Sequence, residues 1–239
     1  MGGGRKLAGG PLRAFRQGNP FNPFWLKRFK QLLHSAPVIP ETPVRLACIG
    51  DSITYGDRIE GREMNSYPSK LQGILGKDAL VMNFGVNGCT LLKKGDLPYW
   101  EDKTMQLIWD FNPHIAVLML GTNDAKARNW KYHDEFYGDY IAFIRYLKGI
   151  PARPLIWACF PVPAFGPMYD ILPEVIRDQE IPLIRKASRA EQIKNINLYR
   201  ALSGYPDLFP DLVHPNAAGA QRIAVKVYSA VRKYFKGSV

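Results

Sequence analysis

From residue 44 onward the chain alternates two kinds of apolar pattern. Short apolar runs at 44–50 (VRLACIG), 79–85 (ALVMNFG), 114–121 (HIAVLMLG), 154–160 (PLIWACF) and 195–199 (NINLY) read as strands. Between and after them, apolar residues recur every three or four positions, which predicts helices over 66–76, 100–111, 133–148, 171–190 and 217–235. Strands alternating with helices predict an α/β domain whose parallel sheet is covered on both faces.

Upstream the pattern changes. In FWLKRFKQLLH at 24–34, residues Trp25, Leu26, Phe29, Leu32 and Leu33 fall on one helical stripe. Pro37, Pro40 and Pro43 then punctuate the chain. We read 1–43 as a leader with a short amphipathic helix, and 44–239 as the folded domain.

Composition sharpens this division. The chain has 239 residues, 46% of them apolar, which fits one packed α/β domain. No apolar run approaches the roughly 20 residues needed to span a bilayer. Of the net charge of +11, seven positive charges lie in residues 1–40 (Arg5, Lys6, Arg13, Arg16, Lys27, Arg28, Lys30), a stretch without an acid. The basic signal therefore belongs to the leader, and with no recognition motif beside it, it argues against a nucleic-acid partner. The apolar stripe predicts packing on the domain or on a second copy, as in a homo-oligomer; contact with a membrane is the alternative. The three cysteines are too few for a disulfide framework, and Cys48 and Cys159 sit in apolar runs, where they read as buried. With no apolar h-region in the leader, the expected compartment is the cytoplasm.

In an open parallel sheet, sites form beyond the carboxyl ends of the strands. Four polar segments stand there: Gly50-Asp51-Ser52-Ile53-Thr54, then Asn83 to Gly88, then Gly121-Thr122-Asn123-Asp124, and Asp211 to Asn216 before the last helix. A serine needs a base to act as a nucleophile at neutral pH, and the base needs an orienting partner. His214 is the histidine in a polar loop with a carboxylate three residues earlier, so Asp211 can reach one ring nitrogen and leave the other for Ser52. Backbone N–H groups near Ser52 and Gly88, and the side-chain amide of Asn123, are suitable donors for the oxyanion of an acyl-transfer intermediate. Asp51 and Asp124 flank these residues and read as loop holders rather than reactants.

GDSIT, the Gly88 loop, GTND and DLVHPN, in this order, resemble the four blocks of the SGNH (GDSL-type) hydrolase family. The resemblance covers about 44–235. It implies a flavodoxin-like three-layer α/β/α sandwich with a five-stranded parallel sheet. It also implies a triad of Ser52, Asp211 and His214, an oxyanion hole of Ser52, Gly88 and Asn123, and no metal or cofactor. No G-x-S-x-G elbow is present, which argues against the α/β-hydrolase fold. One departure is Leu212, where relatives often have Gly; the position carries no chemistry and is read as neutral.

Within that family the chain most resembles carbohydrate O-acetylesterases of the sialate or xylan type, through GDSITYG, REMNSYP at 62–68, TLLKKGDLPYW at 90–100 and NWKYHDEF at 129–136. The expected substrate is a small-molecule or oligosaccharide acetyl ester, with Arg62, Asn65, Trp100, Asn129 and Trp130 as candidates for lining a sugar pocket. A lipid-directed esterase, lysophospholipase or thioesterase, brought to membranes by the basic leader, is the second reading. A non-catalytic module of the same fold is the third. His114, opening a strand, and His133, at a helix start, read as structural. Cys89 has no base beside it and is not expected to be a second nucleophile.

Overall fold

A computed structural model describes residues 43–235. The amphipathic helix expected at 24–34, and with it the basic leader, lies outside the described residues.

Among the described residues, five strands form one parallel sheet in the order β2-β1-β3-β4-β5. They are β1 (Val44–Gly50), β2 (Ala79–Gly85), β3 (Ile115–Met119), β4 (Leu155–Phe160) and β5 (Lys194–Asn197). This is the flavodoxin-like order, and it carries a switch point between β1 and β3. The chain leaves β1 toward β2 on one side and returns to β3 on the other, which opens a crevice above the ends of β1 and β3.

The period of two along each strand divides the core. Ala47, Ile49, Ala116 and Leu118 face one layer, packed with Phe136, Tyr140, Phe143 and Ile184. Leu46, Cys48, Val117 and Cys159 face the other, with Leu71, Ile223 and Val227. The helices follow the apolar spacing of the sequence. Helix α1 (Ser52–Tyr55) is a single turn, α2 (Arg62–Asn65) another, and α3 (Tyr67–Leu75) buries Tyr67, Leu71 and Leu75 four residues apart. Next come α4 (Thr104–Phe111), the short α5 (Ala127–Trp130) and α6 (His133–Lys148). Helix α7, over 173–190, includes a π-helical turn at Ile176–Glu180. Helices α8 (Leu198–Leu202) and α9 (Ala217–Val231) complete the second layer. Truncating a fully buried apolar residue such as Ile223 to Ala is expected to cost about 2–5 kcal/mol, because the close-packed layer cannot collapse into the void.

The sequence reading missed the one-turn helices α1, α2, α5 and α8, which are too short to display a period. Cys48, Cys89 and Cys159 are free and buried, and burial pushes the Cys48 thiol up to about 12. His114 is structural: its Nδ1 accepts the Arg45 N–H at 3.0 Å, and its backbone links β1 to β4 through Arg45 and Leu155. His133 begins α6, exposed, beside Asp134. No described helix is long and apolar enough to cross a membrane.

Candidate active site

The first turn after β1 presents Ser52. Asp51 caps α1 by accepting the Ile53 N–H at 2.9 Å, so Ser52 is the first residue of a capped helical turn at the sheet edge. Gly85 makes this approach feasible, because a Cβ there would collide with the Tyr55 backbone. The turn before α9 presents His214. Asn216 caps that helix through its side-chain oxygen, which accepts the Ala218 and Gly219 N–H groups at 3.0 Å.

The two turns meet. Ser52 Oγ lies 2.9 Å from His214 Nε2, and His214 Nδ1 lies 2.8 Å from Asp211 Oδ2. An ionised carboxylate only accepts, so Nδ1 carries the proton and Nε2 is left to accept the Ser52 hydroxyl. Asp211 is held ionised. Burial alone would raise its pKa, but the backbone N–H and ring of His214 and the N–H of Val213 outweigh that and bring it to about 2. Asp211 Oδ1 takes the two backbone donors, Val213 N at 3.1 Å and His214 N at 2.7 Å, which fixes the carboxylate within its own turn. Asp57 Oδ2 is 3.9 Å from His214 Nε2.

The expected oxyanion donors lie on the loops after β2 and β3. Gly88 has φ +78°, a conformation that L side chains rarely adopt, so the loop requires glycine here. Asn123 is buried, and its Nδ2 lies 3.2 Å from Cys89 O, one residue beyond Gly88. The structure thus brings Ser52, Gly88, Asn123, Asp211 and His214 to one end of the sheet, on the loops after β1, β2 and β3 and the turn before α9.

Asp51 and Asp124 serve as loop holders. Asp124 accepts the Leu91 and Leu92 N–H groups at 2.9 and 2.7 Å, and burial raises its pKa to about 7. Burial likewise raises Asp51. Beside them lies Glu180, 0% exposed, on the π-turn of α7. Among the described residues neither of its carboxyl oxygens has a hydrogen-bond partner, and burial pushes its pKa well up. The sequence reading did not single it out, since a glutamate within an amphipathic helix normally faces water. Cys89 is buried, with its thiol raised to about 12, so it is not a second nucleophile at neutral pH.

The pocket-lining candidates divide. Asn129 is only 1% exposed, so it cannot reach a sugar. Its Nδ2 donates to Asp96 Oδ1 and to Asn123 O, both at 2.8 Å, and its Oδ1 accepts the Asp96 N–H at 2.9 Å. Asn129 therefore fixes the backbone at Asn123 and Asp96 instead. Trp130 is core, packed edge-on against Phe136, with its indole N–H spent on Gln179 at 2.8 Å. Trp100 packs on Phe143 and donates to Leu91 O at 2.9 Å. Trp130 is thus taken in between α6 and α7, whereas Trp100 is partly buried against α6. Arg62 stays partly exposed with its guanidinium 3.9 Å from the Tyr55 ring centre, and Asn65 bonds Glu60 O at 2.9 Å and Lys70 at 3.2 Å.

A family model described as the GDSL-like lipase/acylhydrolase family matches residues 48–222, which include all four strand-end segments. The chain belongs to this family. Over 233 residues it is 36% identical to an acetylxylan esterase of Xylanibacter ruminicola, a match that takes in 87% of this chain and 48% of that protein. The chain thus spans about half the length of that relative. A carbohydrate acetylesterase family member from Sinorhizobium meliloti shares the fold with TM-score 0.65 at 20% identity, over 80% of this chain and 98% of the other. An acetyl xylan esterase shares it with TM-score 0.60 at 23% identity, over 79% and 100%.

Proposed function

We propose that this GDSL-family chain is a serine esterase that removes acetyl groups from acetylated carbohydrates through an acetyl-enzyme, without metal or cofactor. The observation that carries the reading is the continuous chain from Ser52 Oγ through His214 to Asp211, at 2.9 and 2.8 Å.

Ser52 Oγ attacks the acetyl carbonyl carbon while His214 Nε2 takes the hydroxyl proton. Negative charge develops on the carbonyl oxygen, where the Ser52 and Gly88 N–H groups and the Asn123 amide receive it. The C–O bond to the sugar then breaks, and His214 returns its proton to the departing sugar oxygen. Water, deprotonated by His214, attacks the acetyl-enzyme; acetate leaves and Ser52 regains its proton. Asp211 orients the imidazole and balances the imidazolium in each half.

The likeness to an acetylxylan esterase supports an acetylated carbohydrate as substrate. Arg62 and Asn65, beside the end of the nucleophile turn, are the proposed sugar contacts. Leu97, whose side chain lies 3.4 Å from where a Gly88 Cβ would be, is the proposed limit on the length of the acyl group. The three free, buried cysteines support the cytoplasm as compartment.

Hydrolysis of p-nitrophenyl esters of increasing length, with acetate release from acetylated xylan, mannan and sialic acid, tests the reading. Rates should fall steeply from acetyl to butyryl and vanish by octanoyl. A profile rising toward octanoyl would replace it with the lipid-directed esterase.

A further inference from the structure

The Asp211 carboxylate takes more donors than its own turn supplies. Its Oδ2, the oxygen facing His214, also accepts the Tyr169 hydroxyl at 3.0 Å and forms an ion pair with Arg58, whose Nε lies 3.2 Å away. Tyr169 comes from the loop between β4 and α7, and Arg58 from the loop after α1, so two unrelated segments converge on one atom. The rings meet as well: Tyr169 packs edge-on against the His214 imidazole, with centres 5.6 Å apart, and Arg58 lies 5.3 Å over the Tyr169 ring.

Both residues stand where only a local demand keeps them. Arg58 and Tyr169 have φ of +60° and +56°, left-handed backbone that a non-glycine residue avoids. The Tyr169 loop is tied down on the far side too. Asp170 accepts Arg128 Nη1 at 3.2 Å, and Arg128 Nε also reaches Asp96 at 2.7 Å. Arg58 is 57% and Tyr169 38% exposed, so together they lie between solvent and the Asp211–His214 hydrogen bond.

We propose that Tyr169 and Arg58 are positioning residues for acyl transfer, holding Asp211 Oδ2 against His214 Nδ1 and shielding that bond from water. The proposal rests on the reading of Ser52 as nucleophile and His214 as base. When His214 takes the serine proton, the new cation leans on Oδ2. A carboxylate pinned by a phenol and a guanidinium meets it without reorganising. Neither side chain bonds Ser52 or the oxyanion donors, so both act through Asp211.

The test uses Tyr169→Phe, Arg58→Ala and Arg58→Lys in the full chain, with p-nitrophenyl acetate, acetylated xylan and a fluorophosphonate. Tyr169→Phe keeps the ring and removes one hydrogen bond, so kcat should fall roughly tenfold, the scale of a net hydrogen bond to a charged group. KM should stay within about twofold, as for an interaction made mainly in the transition state. The loss should be equal on both esters, and Arg58→Lys should recover much of what Arg58→Ala loses.

Fluorophosphonate labelling of Ser52 should slow in step with kcat. Labelling needs only an activated serine, so it gives the answer even if the carbohydrate reading fails. Unchanged kcat and labelling in Tyr169→Phe and Arg58→Ala, with melting temperatures unchanged, would overturn the proposal. So would a loss confined to KM for xylan, which would make these residues a carbohydrate contact instead.

Discussion

Carboxyl groups occur at two levels of this site, and their environments set them apart. At the mouth, Asp211 collects two backbone N–H groups, the imidazole, a phenol and a guanidinium, and is held ionised at about 2. Beneath the end of β3, Asp51, Asp124 and Glu180 are fully buried, and all three are raised, Asp124 to about 7. Groups of one chemical kind divide into a charged partner of the His214 ring and a set of raised carboxyls underneath, of which Asp51 and Asp124 hold loops. The separation comes from burial: desolvation outweighs the donors around the three deep carboxyls, whereas the partly exposed Asp211 keeps its charge with the donors it collects.

The largest expected effect breaks the upper level. Asp211→Asn keeps the size of the side chain but offers Nδ1 a neutral group that no longer fixes the tautomer or balances the imidazolium. We expect kcat on p-nitrophenyl acetate to fall by about 10⁴. The melting temperature should change by no more than a few degrees, because the side chain sits on a turn at the rim. A loss of less than tenfold would remove Asp211 from the catalytic chain and leave it a turn former.

The next effect is on folding. Asp124→Ala strands the N–H groups of Leu91 and Leu92, both buried residues. Each unsatisfied buried donor costs about 1–3 kcal/mol, so denaturant melts should show a loss of several kcal/mol. Activity of the folded fraction should also fall, because the displaced segment continues into Leu97. A melt like the wild type's would mean that the loop holds itself.

A smaller effect separates the two levels by pH. A carboxyl whose folded pKa is raised binds a proton that the unfolded chain has released, so its contribution is complete below the unfolded value and is lost as pH rises. For Asp124 the window runs from its ordinary 3.8 to about 7; for Glu180 it opens at 4.5 and extends well above. Each such group lowers stability by roughly 1.4 kcal/mol per pH unit within its window. Asp211 has the opposite sign: its contribution is present above 3.8 and lost as pH falls toward about 2. Glu180→Gln is uncharged in both states, so its stability should fall less between pH 5 and pH 8 than the wild type's. At pH 8 the variant should melt several degrees higher. Parallel curves for the two proteins would mean that Glu180 titrates normally.

How far this division was legible in the sequence depends on what produced each part. β3 and α6 announced themselves through buried runs and helical spacing, because burial on both faces or one stripe leaves a periodic trace. The gathering of Ser52, Gly88, Asn123, Asp211 and His214 at one end of the sheet was legible because short sequence blocks at strand ends carry their own turn chemistry. Arg58 and Tyr169 were not, since they sit in irregular loops where positive φ, not periodicity, aims the side chain. Glu180 was hidden because a glutamate in an amphipathic helix reads as facing water, although it falls between buried Ile176 and Ile184 at helical spacing. Trp130 was misplaced because an aromatic between polar residues gives the same local signal whether it caps a core or stacks on a sugar.

The smallest effect concerns Leu212, which the sequence reading treated as neutral. Its φ is +67°, so this leucine holds a left-handed conformation between Asp211 and Val213. That geometry gives a physical reason for glycine at this position. For a residue with a Cβ it costs roughly 1–2 kcal/mol. Two terms oppose the gain from Leu212→Gly. Glycine frees the unfolded chain, worth about 0.5–1 kcal/mol, and the contact of Leu212 with Gly166 is lost. That contact is modest, since Leu212 is 39% exposed. The net expectation is a gain below about 1 kcal/mol, or roughly 1–3 °C in Tm. Because Val213 N and His214 N still hold Asp211 Oδ1, kcat on p-nitrophenyl acetate should stay within about twofold. A lower Tm would show that packing on Gly166 outweighs the backbone cost. A higher Tm with a large fall in kcat would show instead that the strained leucine helps to aim the Asp211–His214 pair.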